Sequence, residues 1–240
     1  MKKFIPLTML AMSTLLLTGC NQNISKDKFN ELVQEGKGKV QEVTNVNFHN
    51  KLSATAYNYK EGEFYSYKMF ALLLIVPITS NEITWKDEDG KYYHYKQDSL
   101  TSTKTSSEIT DEQFAANMTA HKAKIVSELL NPLSKAELLM TENVEEYKSI
   151  NNKFTKNGLK NQYTLKSTCK YEVRTNEVYD GDTLVSYDSE EKTDTFTIVL
   201  NKEGLPVTYT SKIDGSETKW TYSYGKAELN LPEDAKPAVA

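Results

Sequence analysis

Residues 163–174, Tyr163-Thr164-Leu165-Lys166-Ser167-Thr168-Cys169-Lys170-Tyr171-Glu172-Val173-Arg174, separate apolar from polar side chains at a period of two. Tyr163, Leu165, Cys169, Tyr171 and Val173 fall on one side, and Thr164, Lys166, Thr168, Lys170, Glu172 and Arg174 on the other. Successive side chains of a strand point to opposite faces, so this stretch reads as a strand with one buried and one wet face, the pattern of an antiparallel sheet. The residues that follow repeat the theme. Asp180-Gly181-Asp182 turns the chain, and Phe196, Ile198 and Leu200 begin the return. Asn201-Lys202-Glu203-Gly204 turns it again before Leu205, Val207, Tyr209 and Ile213, and Asp214-Gly215 leads to Trp220, Tyr222 and Tyr224. These are sequential hairpins in a meander.

The N-terminal half has the same grammar with helices added. Phe29, Leu32 and Val33 stand at i, i+3 and i+4, which predicts a helix over about Ser25 to Glu35, ended by Gly36 and Gly38. Val46, Phe48, Leu52, Ala54 and Ala56 alternate with polar residues, which predicts one strand. Glu61-Gly62 turns it into a second, from Phe64 to Val76, and Ile83 and Trp85 form a hairpin with Tyr92, Tyr93 and Tyr95 through Asp89-Gly90. Leu100 to Ile109 reads as a Ser/Thr-rich loop. Thr110 and Gln113 form a capping box, and Phe114, Met118, Ile125 and Leu129 follow one face of a long helix, with His121 and Lys122 between them. Pro132 should stop that helix, and Ser134 and Glu137 suggest a short one through about Met140. The order is helix, meander, helix, meander, a weak internal repeat. It predicts an α+β fold: a large, curved antiparallel sheet with helices packed on its concave side.

Met69 to Val76 is an apolar run without alternation, closed by Pro77. It reads either as a strand or short helix buried on both sides, or as an apolar lip or cavity wall facing a greasy ligand or the membrane. Tyr57, Tyr59, Tyr65, Tyr67, Tyr92, Tyr93 and Tyr95 crowd the first meander. Cross-strand packing explains most of them, and an exposed aromatic strip for glycan or peptide is the alternative.

Charge and chemistry narrow the function classes. Lys2 and Lys3 belong to the leading segment, and without them the 29 basic residues become 27 against 33 acids, a net charge of −6. An acidic chain with its lysines scattered among acids argues against nucleic acid, whose affinity comes from cations on phosphates. Cys169 sits on the apolar side of its strand and reads as a small hydrophobe. His49, His94 and His121 lack metal spacing and read as solvent-facing or locally bonded. The acids around Asp180-Gly181-Asp182 lack the ligand order of a calcium loop. No nucleophile elbow or phosphate loop occurs, so the expectation is a non-enzymatic protein with no catalytic residue, metal or cofactor.

The leading segment supplies the address. Lys2 and Lys3 precede a mostly apolar stretch from Phe4 to Leu17, and Leu17-Thr18-Gly19-Cys20 closes it. The length suits a secretory core rather than a membrane span, and the closing residues resemble a bacterial lipobox. That resemblance implies residues 1–19 as signal peptide and Cys20 as the lipidated first residue. The protein is then anchored on the extracytoplasmic face of a bacterial cell membrane. Residues 20–28 read as a tether, 29–235 as one domain and 236–240 as a tail.

The helix-and-meander order, with Tyr222-Ser223-Tyr224-Gly225-Lys226-Ala227 and Leu231-Pro232-Glu233-Asp234-Ala235 at its close, resembles the lipoprotein-localisation-factor superfamily of the LolA and LppX/LprG type. The resemblance implies an unclosed half-barrel with an apolar cavity between sheet and helices, which known members use to hold acyl chains. It implies a lipid or amphiphile as ligand, and the residues expected to line the cavity are Met69, Leu72, Leu74, Val76, Phe114, Met118 and Ile125. The competing expectation is a cell-wall or protein interaction module that uses the tyrosine-rich sheet face. Oligomeric state stays open.

Overall fold

The computed structural model describes residues 21–72, 76–141 and 144–225, with 70–72, 76 and 77 as backbone only. The elements in chain order are β1 (Asn21–Asn23), α1 (Lys26–Lys39), β2 (Asn45–His49), β3 (Ser53–Asn58), β4 (Glu63–Leu72), β5 (Val76–Lys86), β6 (Tyr92–Asp98) and β7 (Thr103–Ile109). They continue with α2 (Asp111–Met140), β8 (Ser149–Asn157), β9 (Gln162–Asp180), β10 (Thr183–Leu200), β11 (Pro206–Ile213) and β12 (Ser216–Tyr224). Among the described residues the hydrogen-bonded order is β1-β8-β9-β10-β11-β12-β2-β3-β4-β5-β6-β7, a sheet of twelve strands that does not close. Pairing is antiparallel from β1 through β8, β9 and β10 to β11, and from β12 through β2 to β7. The fold is α+β, as the helix-and-meander order predicts, and residues 163–174 lie in an antiparallel strand, as their alternation predicts.

The chain divides into two compact units, one from residues 21–37 and 133–217 and the other from 38–132 and 218–225. Each is a meander with a helical segment. In the first, Leu165 of β9 stands opposite Phe154 of β8 and Ile198 of β10, and Cys169 stands opposite Ile150 and Asp194. Leu165, Ile198 and Cys169 are fully buried, as are Phe29 and Val33 of α1. Phe29 packs on Phe154 with ring centroids 5.5 Å apart. Asn152 Nδ2 donates to the Leu139 carbonyl of α2 at 2.8 Å, and Glu137 takes hydrogen bonds from Gln34 at 2.9 Å and Lys37 at 2.7 Å. Those two donors hold the Glu137 carboxyl below its ordinary pKa.

α1 does not end at Gly36 as expected. A Cβ at Gly36 would run into the carbonyl oxygen of Gly204, which itself sits in a turn at φ +78°. The missing side chain lets helix and turn touch through their backbones, so this glycine serves close approach rather than termination. The tether also begins differently: Asn21–Asn23 pair with Thr155–Asn157 as an edge strand.

In the second unit the expected strand from Val46 to Ala56 is a hairpin. Asn50 Oδ1 accepts from the backbone N–H of Leu52 at 2.7 Å and of Ser53 at 2.8 Å, and this Asx turn reverses the chain. Phe48 then stands opposite Thr55, while Ala56 stands opposite Asn47 on the other face and Leu52 is exposed. Thr103–Ile109, expected as loop, is an exposed strand paired with β6 at the sheet edge. Its serines and threonines suit a position with one solvated side. The capping box forms as read: Gln113 N donates to Thr110 Oγ1 at 3.2 Å and Thr110 N to Gln113 Oε1 at 2.9 Å. α2 runs through Pro132 instead of stopping, because Leu129 before it and Leu133, Ala136 and Leu139 after it are all fully buried. Burying each of those leucines is worth about 1.5–3 kcal/mol, which offsets the proline's missing hydrogen bond.

Candidate functional site

The register of the second unit aligns one residue from each strand into rows. Val46, Tyr57, Phe64, Thr84 and His94 form such a row, since Val46 pairs with Tyr57, Tyr57 with Phe64, Phe64 with Thr84 and Thr84 with His94. Directly opposed residues share a face. His121 of α2 lies on that face, its ring stacked on Phe64 at 3.6 Å between centroids and 6° between planes. Its Nε2 is 3.2 Å from Thr84 Oγ1, and the same hydroxyl is 3.1 Å from His94 Nδ1. The hydroxyl can donate to one imidazole and accept from the other, which bridges two neutral histidines. Burial, then the nearby charges of Lys124 and His94, push the His121 pKa down to about 3. Burial lowers that of His94 as well.

Beside this chain sits Tyr57, which is fully buried and whose hydroxyl has no hydrogen-bond partner. Burial, followed by Tyr59, raises its pKa. The next row on the same face carries Phe48, Thr55 and Ser66, all buried, and then Glu82 and Lys96. The layer between α2 and this sheet is therefore part aromatic and part hydroxyl-lined. Phe114 stacks on Tyr92 at 4.0 Å, and its ring tip lies where a side chain on Gly62 would have to go.

The residues expected to line a cavity are not all brought together. Met118 and Ile125 are buried on α2, and Phe114 is half-buried beside them. Met69 pairs with Thr79 in an unbroken register five residues beyond Phe64, which turns it to the opposite sheet face. Leu72 and Val76 are backbone partners where β4 meets β5. Their side chains, Leu74 and Cys20 lie outside the described residues.

The tyrosines divide between faces. Tyr57 and Tyr92 look toward α2, whereas Tyr65 and Tyr93 are half-buried against Ile83, Trp85 and Tyr95 on the other side. Trp85 and Tyr93 stack at 5.2 Å. His121 corrects the reading of the histidines as solvent-facing or locally bonded: it is 6% exposed and bonded across 37 positions of sequence. Its spacing from Met118 and Ile125 along the apolar helix face carried the signal. Cys169 is fully buried, and burial pushes its thiol up to about 11, which keeps it protonated and unreactive. Among the described residues no three His, Cys, Asp or Glu come together in a way that could hold a metal. No helix among them is long and apolar enough to cross a membrane.

No protein-family model matches this sequence, and no curated protein does. Among solved structures, the crystal structure of LprF from Mycobacterium bovis aligns with 90% of this chain and 100% of that one, at 8% identity and a TM-score of 0.32.

Proposed function

We propose that this protein is a lipoprotein, anchored through Cys20 on the extracytoplasmic face of a bacterial cell membrane. It carries out no enzymatic chemistry and holds an amphiphilic ligand between α2 and the sheet of its second unit. The observation that supports the binding reading most is the Tyr57 hydroxyl, buried and unpartnered in the row next to that of Thr55 and Ser66, which are buried as well. An unmade buried hydrogen bond costs about 1–3 kcal/mol, a cost that a ligand's polar group would remove. Phe48, Phe64, Met118 and Ile125 supply apolar surface for the rest of such a molecule. A second reading, an interaction module using the tyrosine-rich face, is favoured by Tyr65 and Tyr93 lying half-buried on the Trp85 cluster.

Native mass spectrometry of the detergent-purified protein separates the two. The wild type should carry a bound lipid or amphiphile, and Tyr57→Phe should retain at least tenfold less while melting at the same or a higher temperature. If the wild type carries nothing and Tyr57→Phe only raises the melting temperature, the hydroxyl is an uncompensated cost and the ligand reading is wrong.

A further inference from the structure

The hairpin of β9 and β10 extends well past its neighbours. The β8 ladder along β9 ends at Ser149 opposite Lys170, and the β11 ladder along β10 ends at Thr195 opposite Lys212. β9 and β10 nonetheless stay paired out to Asp180 opposite Thr183. Among the described residues, 173–190 therefore form a two-stranded ribbon with solvent on both faces. Such a ribbon gains little from its own packing. Its root is tied down by Lys148 with Glu172 at 2.6 Å and Lys170 with Glu191 at 2.6 Å.

Beyond that root the composition changes. Val178, Tyr179, Val185 and Tyr187 are 53%, 54%, 61% and 50% exposed, four large apolar side chains at one tip. Glu177, Asp180, Asp182, Asp188 and Glu190 stand among them with Arg174 as the one cation, a net charge of −4 over residues 173–190, equal to that of the whole chain. Arg174 is occupied over the Tyr187 ring at 4.8 Å, and the described residues place no cation in ion-pair contact with these five carboxylates.

We infer that the ribbon 173–190 is a docking arm for a protein surface that is basic and carries an apolar patch. Charge complementarity selects that occupant. An anionic membrane surface would repel five unneutralised carboxylates, and a second copy offers no net positive surface, since the chain outside the ribbon balances to zero with Lys2 and Lys3 and is acidic without them. Recognition runs through side chains rather than strand addition. The register shifts between Leu184 and Ser186 and between Ser186 and Asp188, and Asn176 adopts φ +51°, so neither edge presents a long regular ladder. Exposed tyrosines suit such a contact because each offers a large apolar face at low entropic cost.

The test places the photo-reactive residue benzoylphenylalanine at Tyr179 or Tyr187 of the full-length, membrane-anchored protein. The adduct is identified by mass spectrometry, and its purified partner is titrated against the purified chain at two salt concentrations. The expected adduct is another protein with a basic surface at the cross-linked position. Its binding should weaken at least tenfold on raising salt and at least tenfold in Tyr179→Ser/Tyr187→Ser. Glu172 and Glu191 are opposed, so replacing residues 173–190 by Asn-Gly closes the hairpin; this variant should keep the wild-type melting temperature and lose binding. Adducts only to lipid, only to the same chain, or to no molecule overturn the proposal, as does a partner bound equally well by the shortened chain. Lipid retention in the second unit is independent of this variant, so failure here leaves the ligand reading untouched.

Discussion

His121 is stacked on Phe64 with its Nε2 on Thr84, so protonating it in the folded protein sets a charge in a layer where a single hydroxyl answers it. The unfolded chain takes up that proton near the ordinary histidine value of 6.5, while the folded chain resists until about 3. The folded-state pKa is depressed, so this contribution to stability is complete above pH 6.5 and is lost as pH falls toward 3, by about 1.4 kcal/mol per pH unit. His94, lowered in the same direction by burial, adds to it. Urea unfolding at pH 7.5 and 5.0 should show the wild type losing about 2 kcal/mol more than His121→Gln, which cannot titrate. Equal losses in the two proteins would assign the pH dependence to other groups. In the sequence the same residue looked ordinary, because a histidine on an apolar helix face carries no mark of what it meets across the layer.

At the scale of elements, hydrophobic period and capping chemistry were legible while close approach was not. The buried face of α1 and the box at Thr110 follow from local spacing, as does the alternation of β9. Gly36 looked like a stop signal because glycine ends helices. Here it admits the backbone of Gly204, a contact across 168 positions of sequence. Gly36→Ala should therefore cost on the order of 3 kcal/mol, since backbone rather than a flexible side chain blocks the new methyl group. Gly38→Ala, where a Cβ meets nothing, should be neutral or stabilise by up to about 1 kcal/mol. Chemical denaturation of the two variants checks the contrast, and equal effects would mean that the helix can move off the turn at little cost. Pro132 sits inside α2 for a related reason: the apolar residues on both sides of it are held by packing that propensity does not see.

For the whole molecule, the two compact units do not follow the helix-and-meander halves read along the chain: most of α1 belongs with β8 to β11, and residues 111–132 of α2 belong with β2 to β7. The proposed address is separable from both. Changing Cys20→Ala should release the protein from the membrane fraction and move it from the detergent to the aqueous phase on phase partitioning. It should leave the melting temperature of the folded part unchanged. A variant that still partitions with detergent would show that the anchor lies elsewhere.

The amino-acid sequence by itself determined the α+β class, the antiparallel meanders and most turns, because these depend on side-chain period and local backbone preference within a few residues. It also carries the leading segment on which the proposed address rests. Tertiary structure alone decided that Val46 to Ala56 folds back at Asn50, that His121 bridges to His94 through Thr84, and that Tyr57 is buried without a partner. It likewise decided that Met69 faces away from Phe114, Met118 and Ile125, and that residues 173–190 stand clear of the neighbouring ladders. Those outcomes depend on strand register and on where each ladder stops. Register is set by the sum of contacts between segments far apart in the chain, and no single stretch of sequence contains that sum.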